Sequence, residues 1–123
     1  MKTIFTLLFY SLCWFVSAEP PVYMSSLVDS VALSAKSDKE ILVVFTADWC
    51  KYCSIMKKDI AQTPSVVDNK IVCYVDYDEN TDLVKEYRVK LIPDYFILKK
   101  RIETKRKVGY TNFLGFVQWV RDD

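Results

Sequence analysis

The stretch "EILVVFTA" at residues 40–47 constrains the fold of this chain more than any other. It is short, rich in β-branched residues, and apolar without alternation from Ile41 to Phe45. A strand with one wet face alternates apolar and polar side chains. A strand without that alternation has to be covered on both faces, as at the centre of a parallel sheet. "KIVCYVDYD" (70–78) reads as a second strand, and "PDYFILKK" and "ETKRKVGY" as two more joined by a tight turn near Arg101. Helical segments separate them. "SSLVDSVALSAK" carries apolar residues at 27, 28, 31, 32 and 35, with Ser25 or Ser26 as the cap. From Cys50 to about Ala61 the residues favour helix, with Ile55, Met56 and Ile60 on one side and lysines on the other. Thr63-Pro64 reads as a cap and first-turn proline. "NTDLVKEYRV" is a helix capped by Asn80, and "NFLGFVQWVRDD" an amphipathic helix with Phe113, Phe116, Val117 and Val120 inward. Pro20 and Pro21 mark an extended lead-in. The order α, β, α, β, α, β, β, α implies parallel pairing early and an antiparallel hairpin late, hence an α/β chain with a central mixed sheet flanked by helices on both faces.

The first 18 residues stand apart. "MKTIFTLLFYSLCWFVSA" has one lysine, a run from Ile4 to Val16 without charge, and small residues at Ser17 and Ala18. That is the layout of a secretory signal cut after Ala18, and the run is short for a membrane span of about 20 residues. The expected organisation is a signal peptide at 1–18 and one domain at 19–123, with an uncleaved anchor, and so membrane contact, as the alternative. Loss of Lys2 with the signal takes the formal charge from +1 to zero, which gives no basis for bulk attraction to nucleic acid. The expected location is the periplasm in a Gram-negative host, otherwise the secretory pathway or the outside, where disulfides form and persist. The expected state is a monomer.

"ADWCKYC" places Cys50 and Cys53 three positions apart where the first strand hands over to a helix. A helix N-terminus carries roughly half a positive charge, and a thiol placed there is lowered from about 8.5 to about 7 or below. The thiolate is the attacking species in disulfide exchange, so Cys50 is the better nucleophile. Cys53, one turn on and facing the same side, is positioned to resolve a mixed disulfide. Two other readings stand beside this one. A zinc clip needs about four Cys or His ligands, and the chain has no histidine and one further cysteine, Cys73, beyond residue 18. Two inert buried thiols are the other. The redox reading needs no cofactor and no metal.

"VVFTADWCKYC", "YVDYDEN", "YRVKLIPDYFIL" and "KVGY", in this order and spacing, resemble the thioredoxin superfamily, and in particular its exported single-domain members. The resemblance runs from about residue 25 to the C-terminus. It implies the thioredoxin fold, thiol–disulfide exchange with protein thiols and disulfides as substrates, a separate redox partner that resets the pair, and a cis peptide before Pro93. It further implies that the backbone of Ile92 binds an extended substrate segment, that Trp49 shields one side of the pair, and that Gly109 lets a partner approach. Taken alone, Pro93 reads as a loop-to-strand turn residue, Trp49 as core, and Gly109 as a strand-end glycine.

The chain also departs from that pattern. The buried acid usual in the strand before the motif is replaced by Val44, and its lysine partner by Tyr74. Lys51-Tyr52 stand between the cysteines in place of Gly-Pro, and Asp94 follows the proline in place of threonine. Lys51 favours a nearby thiolate, whereas Asp94, if it faces the pair, repels it. A missing acid slows proton transfer at Cys53. These departures keep an alternative open: a thioredoxin-fold binding or assembly module whose cysteines are dispensable. Cys73 reads as a buried thiol, with a third redox participant as the alternative. The basic run 99–107 reads as protection of an exposed hairpin, or as a docking patch for an acidic partner. Asp76, Asp78, Glu79 and Asp82 line a strand end and a helix start.

Overall fold

The computed structural model describes residues 18–122; the segment 1–18, expected to be a signal, lies outside them except for Ala18. Nine strands and α-helices follow in order: β1 (Val22–Met24), α1 (Leu27–Ser37), β2 (Glu40–Thr46), α2 (Lys51–Gln62), β3 (Lys70–Asp76), α3 (Thr81–Glu86), β4 (Asp94–Lys99), β5 (Ile102–Val108) and α4 (Phe113–Arg121), with a short 3-10 helix (Pro64–Val67) between α2 and β3. The sheet order is β1-β3-β2-β4-β5. β1 and β2 run parallel to β3, β4 pairs antiparallel with β2, and β5 antiparallel with β4.

β2 is the centre, and its pleat feeds two cores. Ile41, Val43 and Phe45 point to one face, where they meet Phe96, Leu98, Ile71 and Val75 under α1 and α3. Leu42 and Val44 point to the other, where Met56 and Ile60 of α2 and Phe116 of α4 cover Tyr95, Ile97 and Val72. Helices therefore flank the sheet on both faces.

Several sequence expectations are corrected in detail. The lead-in after Pro21 becomes a strand, β1, because the neighbouring edge of β3 offers its backbone to Val22–Met24. On α2 the inward row is Cys53, Met56 and Ile60, and Ile55 falls on the exposed side. On α1, Ser30 sits on the buried row while Val28 is exposed; the Ser30 hydroxyl donates to the Ser26 carbonyl at 2.8 Å. Ser26 is the cap, accepting from the Asp29 amide at 3.2 Å. The helix after Asn80 stops at Glu86, and the Asn80 side chain donates to the Asp76 carbonyl instead of capping. On α4, Trp119 packs edge-on against Tyr95 at 4.9 Å; Val117 is half-buried and is not among the residues packed into this core.

The basic run 99–107 lies on the edge hairpin, with Lys99, Lys100 and Arg101 exposed and two of its cations drawn into internal contacts. Lys105 donates to the carbonyls of Trp119, Val120 and Asp122, neutralising the C-terminal end of α4. Its ammonium also lies 5.0 Å from the Trp119 ring centroid. Arg106 is drawn into an ion pair described below. Cys73 is a buried free thiol, pushed up by burial.

Phe116 is 1 % exposed and contacts the rings of Tyr95, Tyr110, Phe113 and Trp119. Phe116→Ala is expected to lower unfolding stability by about 3–5 kcal/mol. Urea denaturation checks this as a lower midpoint at unchanged slope.

Candidate functional site

The C-terminal end of β2 runs into a tight turn in which the Cys50 amide donates to the Ala47 carbonyl at 3.1 Å. Cys50 is the N-cap of α2: its backbone is extended, and its Sγ accepts from the Cys53 amide at 3.3 Å. Serine, threonine and aspartate ordinarily fill such a cap with oxygen; here sulfur takes the place. Cys50 and Cys53 are joined in a disulfide with Cα atoms 5.2 Å apart. Cys50 is 7 % exposed and Cys53 1 %, so an approaching group meets Cys50 first. Ala47, Tyr77 and Ile92 pack around the two sulfurs.

Two further segments converge on this turn. The Ile92-Pro93 peptide is cis, and the Ile92 carbonyl lies 3.8 Å from Cys50 Sγ. Gly109 follows β5 at φ +89°, a backbone that favours glycine, and its amide donates to the Pro93 carbonyl at 2.7 Å. A Cβ at Gly109 would meet nothing within 4 Å, so the backbone angle alone demands the glycine. The Tyr95 hydroxyl donates to the Gly109 carbonyl at 2.9 Å, and the Tyr110 hydroxyl donates to Asp59 of α2 at 2.5 Å. Two phenols thus tie the glycine turn to β4 and to the helix that carries the cysteines.

Trp49 is not core. It is 67 % exposed beside Cys50. Its indole N–H donates to Asp78 at 2.8 Å, and its ring stands edge-on to Tyr77 at 6.4 Å. Tyr77 is a site residue that the sequence reading does not single out, and Asp78, read only as one of the acids at a strand end and a helix start, is the partner of Trp49. Asp76 organises that turn by accepting from the amides of Asp78 and Glu79. Lys51 and Tyr52 occupy the exposed first turn of α2.

Asp94 departs from the expectation that its charge repels a Cys50 thiolate. It is 2 % exposed, and its two oxygens accept from Arg106 Nε at 2.9 Å and Nη2 at 2.6 Å. The charge is cancelled where it arises, because a carboxylate held in the interior requires a partner. Arg106 is held above its already high ordinary range, chiefly by its hydrogen bonds to Asp94.

Val44 is fully buried, so no carboxylate lies at the expected position below the pair. Tyr74 stacks on Tyr23 at 6.4 Å with Lys57 over its ring at 4.9 Å, and burial pushes its phenol up. A cavity of about 710 Å³ lies at the opposite end of β2, lined by residues that include Ser34, Asp38, Glu40, Lys99 and Lys100. The cysteines do not line that cavity.

A dithiol–disulfide pair capping a helix at the end of a central strand, with an X-Pro loop over it, defines a disulfide oxidoreductase of the thioredoxin-fold class. The thioredoxin family model matches residues 28–122, and the chain belongs to that family. A thioredoxin of Rickettsia bellii is 27% identical over 89 residues, covering 72% of this chain and 85% of its own. A thioredoxin h of poplar shares the fold with a TM-score of 0.71 at 17% identity, covering 82% of this chain and 93% of its own. A thioredoxin f2, solved in complex with ferredoxin:thioredoxin reductase, shares it with a TM-score of 0.65 at 17% identity, covering 87% and 100%.

Burial pushes the Tyr95 phenol up to about 12, whereas an unfolded tyrosine titrates near 10. A raised folded value means full stabilisation below pH ~10 and progressive loss as pH rises toward about 12. Tyr95→Phe is expected to cost roughly 0.5–1.5 kcal/mol at pH 7 through the lost hydrogen bond. It should also make the alkaline fall in stability shallower. Urea titrations at pH 7 to pH ~12 measure both effects.

Proposed function

We propose that this protein is an exported thiol–disulfide oxidoreductase that exchanges with protein substrates, Cys50 attacking and Cys53 resolving. The carrying observation is the asymmetry of the pair: Cys50 caps α2 at the surface and accepts the Cys53 amide, while Cys53 is 1 % exposed. In the reducing direction, the Cys50 thiolate attacks one sulfur of a substrate disulfide and expels the other as a thiolate. Cys53, as thiolate, then attacks Cys50 Sγ, re-forming the Cys50–Cys53 bond and releasing the second substrate thiol. Two electrons pass from the pair to the substrate, and a separate reductant returns them. Oxidation of a substrate dithiol is the same sequence reversed.

Exposed apolar side chains flank the sulfurs from three segments: Trp49 and Tyr52 beside them, Leu91 before Ile92, and Val108 before Gly109. This edge suits an extended polypeptide, whose backbone would pair with Ile92 in the manner of strand addition while its side chains rest on the apolar rim. The reading of residues 1–18 as a cleaved signal draws support from Glu19. Its amide donates to the Asn69 side chain at 2.9 Å and its carbonyl accepts from the Asn69 amide at 2.9 Å, so the fold holds the chain from the first residue after the expected cut.

Titration of the pair against glutathione, followed by thiol alkylation, is expected to show reversible two-electron exchange. A potential near −120 to −180 mV identifies a disulfide donor or isomerase, and one near −270 mV a reductant. Absence of reversible exchange overturns the oxidoreductase reading in favour of a binding module. Cys50→Ser is expected to abolish exchange, and Cys53→Ser to accumulate a mixed disulfide on Cys50, detected by mass spectrometry. The mass of the exported product should begin at Glu19; retention of residues 1–18 would show an anchored protein.

A further inference from the structure

The guanidinium of Arg106 reaches two points of the chain that bracket a single loop. On one side it grips both oxygens of Asp94, the first residue of β4. On the other, Nη2 donates to the carbonyl of Tyr87 at 2.7 Å, immediately after α3. Arg88–Pro93 lies between these contacts. The loop starts in the left-handed region at Arg88, φ 54°, an arrangement unfavourable for a residue with a Cβ, so it has to be held by its surroundings. Its far end carries Leu91, 70 % exposed, and the Ile92 carbonyl beside Cys50 Sγ.

We propose that Arg106 is a positioning residue: by clamping both ends of the 88–93 loop it fixes Leu91 and the Ile92 backbone at the distance from Cys50 that a protein substrate requires. The proposal rests on the reading of this edge as the substrate-binding edge. Cancelling the buried charge of Asp94 calls only for a cation. The clamp calls for more, because one rigid fork must satisfy two carboxylate oxygens and a carbonyl on another segment. A planar guanidinium does this, and a lysine ammonium, a point charge on a flexible stem, does not. The ring of Phe96, 5.4 Å from the guanidinium carbon, fixes the plane of the fork from below.

The test is Arg106→Lys in the full chain, which keeps the charge and removes the fork. Two readouts are taken together. Amide hydrogen exchange is followed in residues 88–92 and, for comparison, in β2 and β3. Steady-state kinetics are run with insulin as a protein disulfide and with 5,5′-dithiobis(2-nitrobenzoate) as a small one. Loss of one charge-assisted hydrogen bond corresponds to roughly tenfold. Exchange in the loop should therefore speed by about tenfold, with β2 and β3 unchanged. KM for insulin should rise by about the same factor, with kcat and the small-disulfide rate within about twofold. Unchanged loop exchange, or faster exchange spread evenly over the sheet, overturns the clamp and leaves Arg106 a partner for Asp94 alone. A loosened loop with unchanged insulin KM overturns the positioning role and marks the substrate reading of this edge, not the clamp, as the failed step. Should Arg106→Lys not fold, Asp94→Asn releases one end of the clamp while leaving the Tyr87 contact, and the same pair of readouts applies.

Discussion

The double-sided burial of β2 is the constraint on which the rest of the molecule depends. Five consecutive apolar residues, Ile41 to Phe45, are each 2 % exposed or less, and no single layer of helices could cover them. Two layers are forced, α1 and α3 on one face and α2 and α4 on the other. Once β2 is central, its C-terminal end has to emerge between those layers. The turn Ala47–Cys50 is therefore delivered to an edge of the sheet where backbone groups of neighbouring segments are free to meet it. The chemistry of the pair follows from the same placement. A cysteine that caps α2 faces the helix N-terminus and the Cys53 amide, and a cysteine one turn later is carried under it into the core.

Polar side chains fix the geometry that the apolar cores leave loose. The core sets the sheet and takes in Val89 and Ile92 of the 88–93 loop, but the rest of that loop and the turn at Gly109 need more. They are held by directed contacts: the Gly109 amide on the Pro93 carbonyl, Tyr95 on the Gly109 carbonyl, Tyr110 on Asp59, and Arg106 on Tyr87 and Asp94. Tyr95 and Tyr110 each bury a ring in the core under α2 and α4, while the Tyr95 hydroxyl reaches the Gly109 carbonyl and the Tyr110 hydroxyl reaches Asp59 of α2. Each residue thus belongs to the core and to the fastening of the site, as amphipathic aromatic side chains allow.

Much of this was legible in the sequence, and the parts that were not share a cause. β2, β3 and the helix after Cys50 announce themselves through local pattern, and the cysteine pair points to its chemistry through its spacing, its place at a strand-to-helix junction and the resemblance around it. β1 is three residues long after two prolines, and only the partner strand makes it a strand. Ile55 has the hydrophobicity of a core residue, but the inward row of α2 is set by Cys53, which pulls Met56 and Ile60 into line and turns Ile55 outward. Arg106 sits inside a basic run that reads as solvated surface. Its partners Asp94 and Tyr87 are 12 and 19 residues away, and only the β4–β5 hairpin, with Phe96 opposite Arg106, brings them together. Lys105 is likewise hidden in the run, and its role at the end of α4 is a fact of tertiary packing. Long-range polar contacts leave no periodicity behind them, so the fold was readable and the fastening of the site was not.

The electrostatics of the pair reduce to few elements once these contacts are counted. The charge of Asp94 is cancelled by Arg106. Val44 fills the space below with hydrocarbon. Lys51 is exposed, where water and salt screen its charge from a sulfur. What remains close to Cys50 is the N-terminal end of α2 and the Cys53 amide at 3.3 Å, which favour negative charge on the sulfur, and the Ile92 carbonyl at 3.8 Å, which opposes it. No carboxylate lies at position 44 to pass a proton to Cys53, so the resolving step depends on proton exchange with another group or with water.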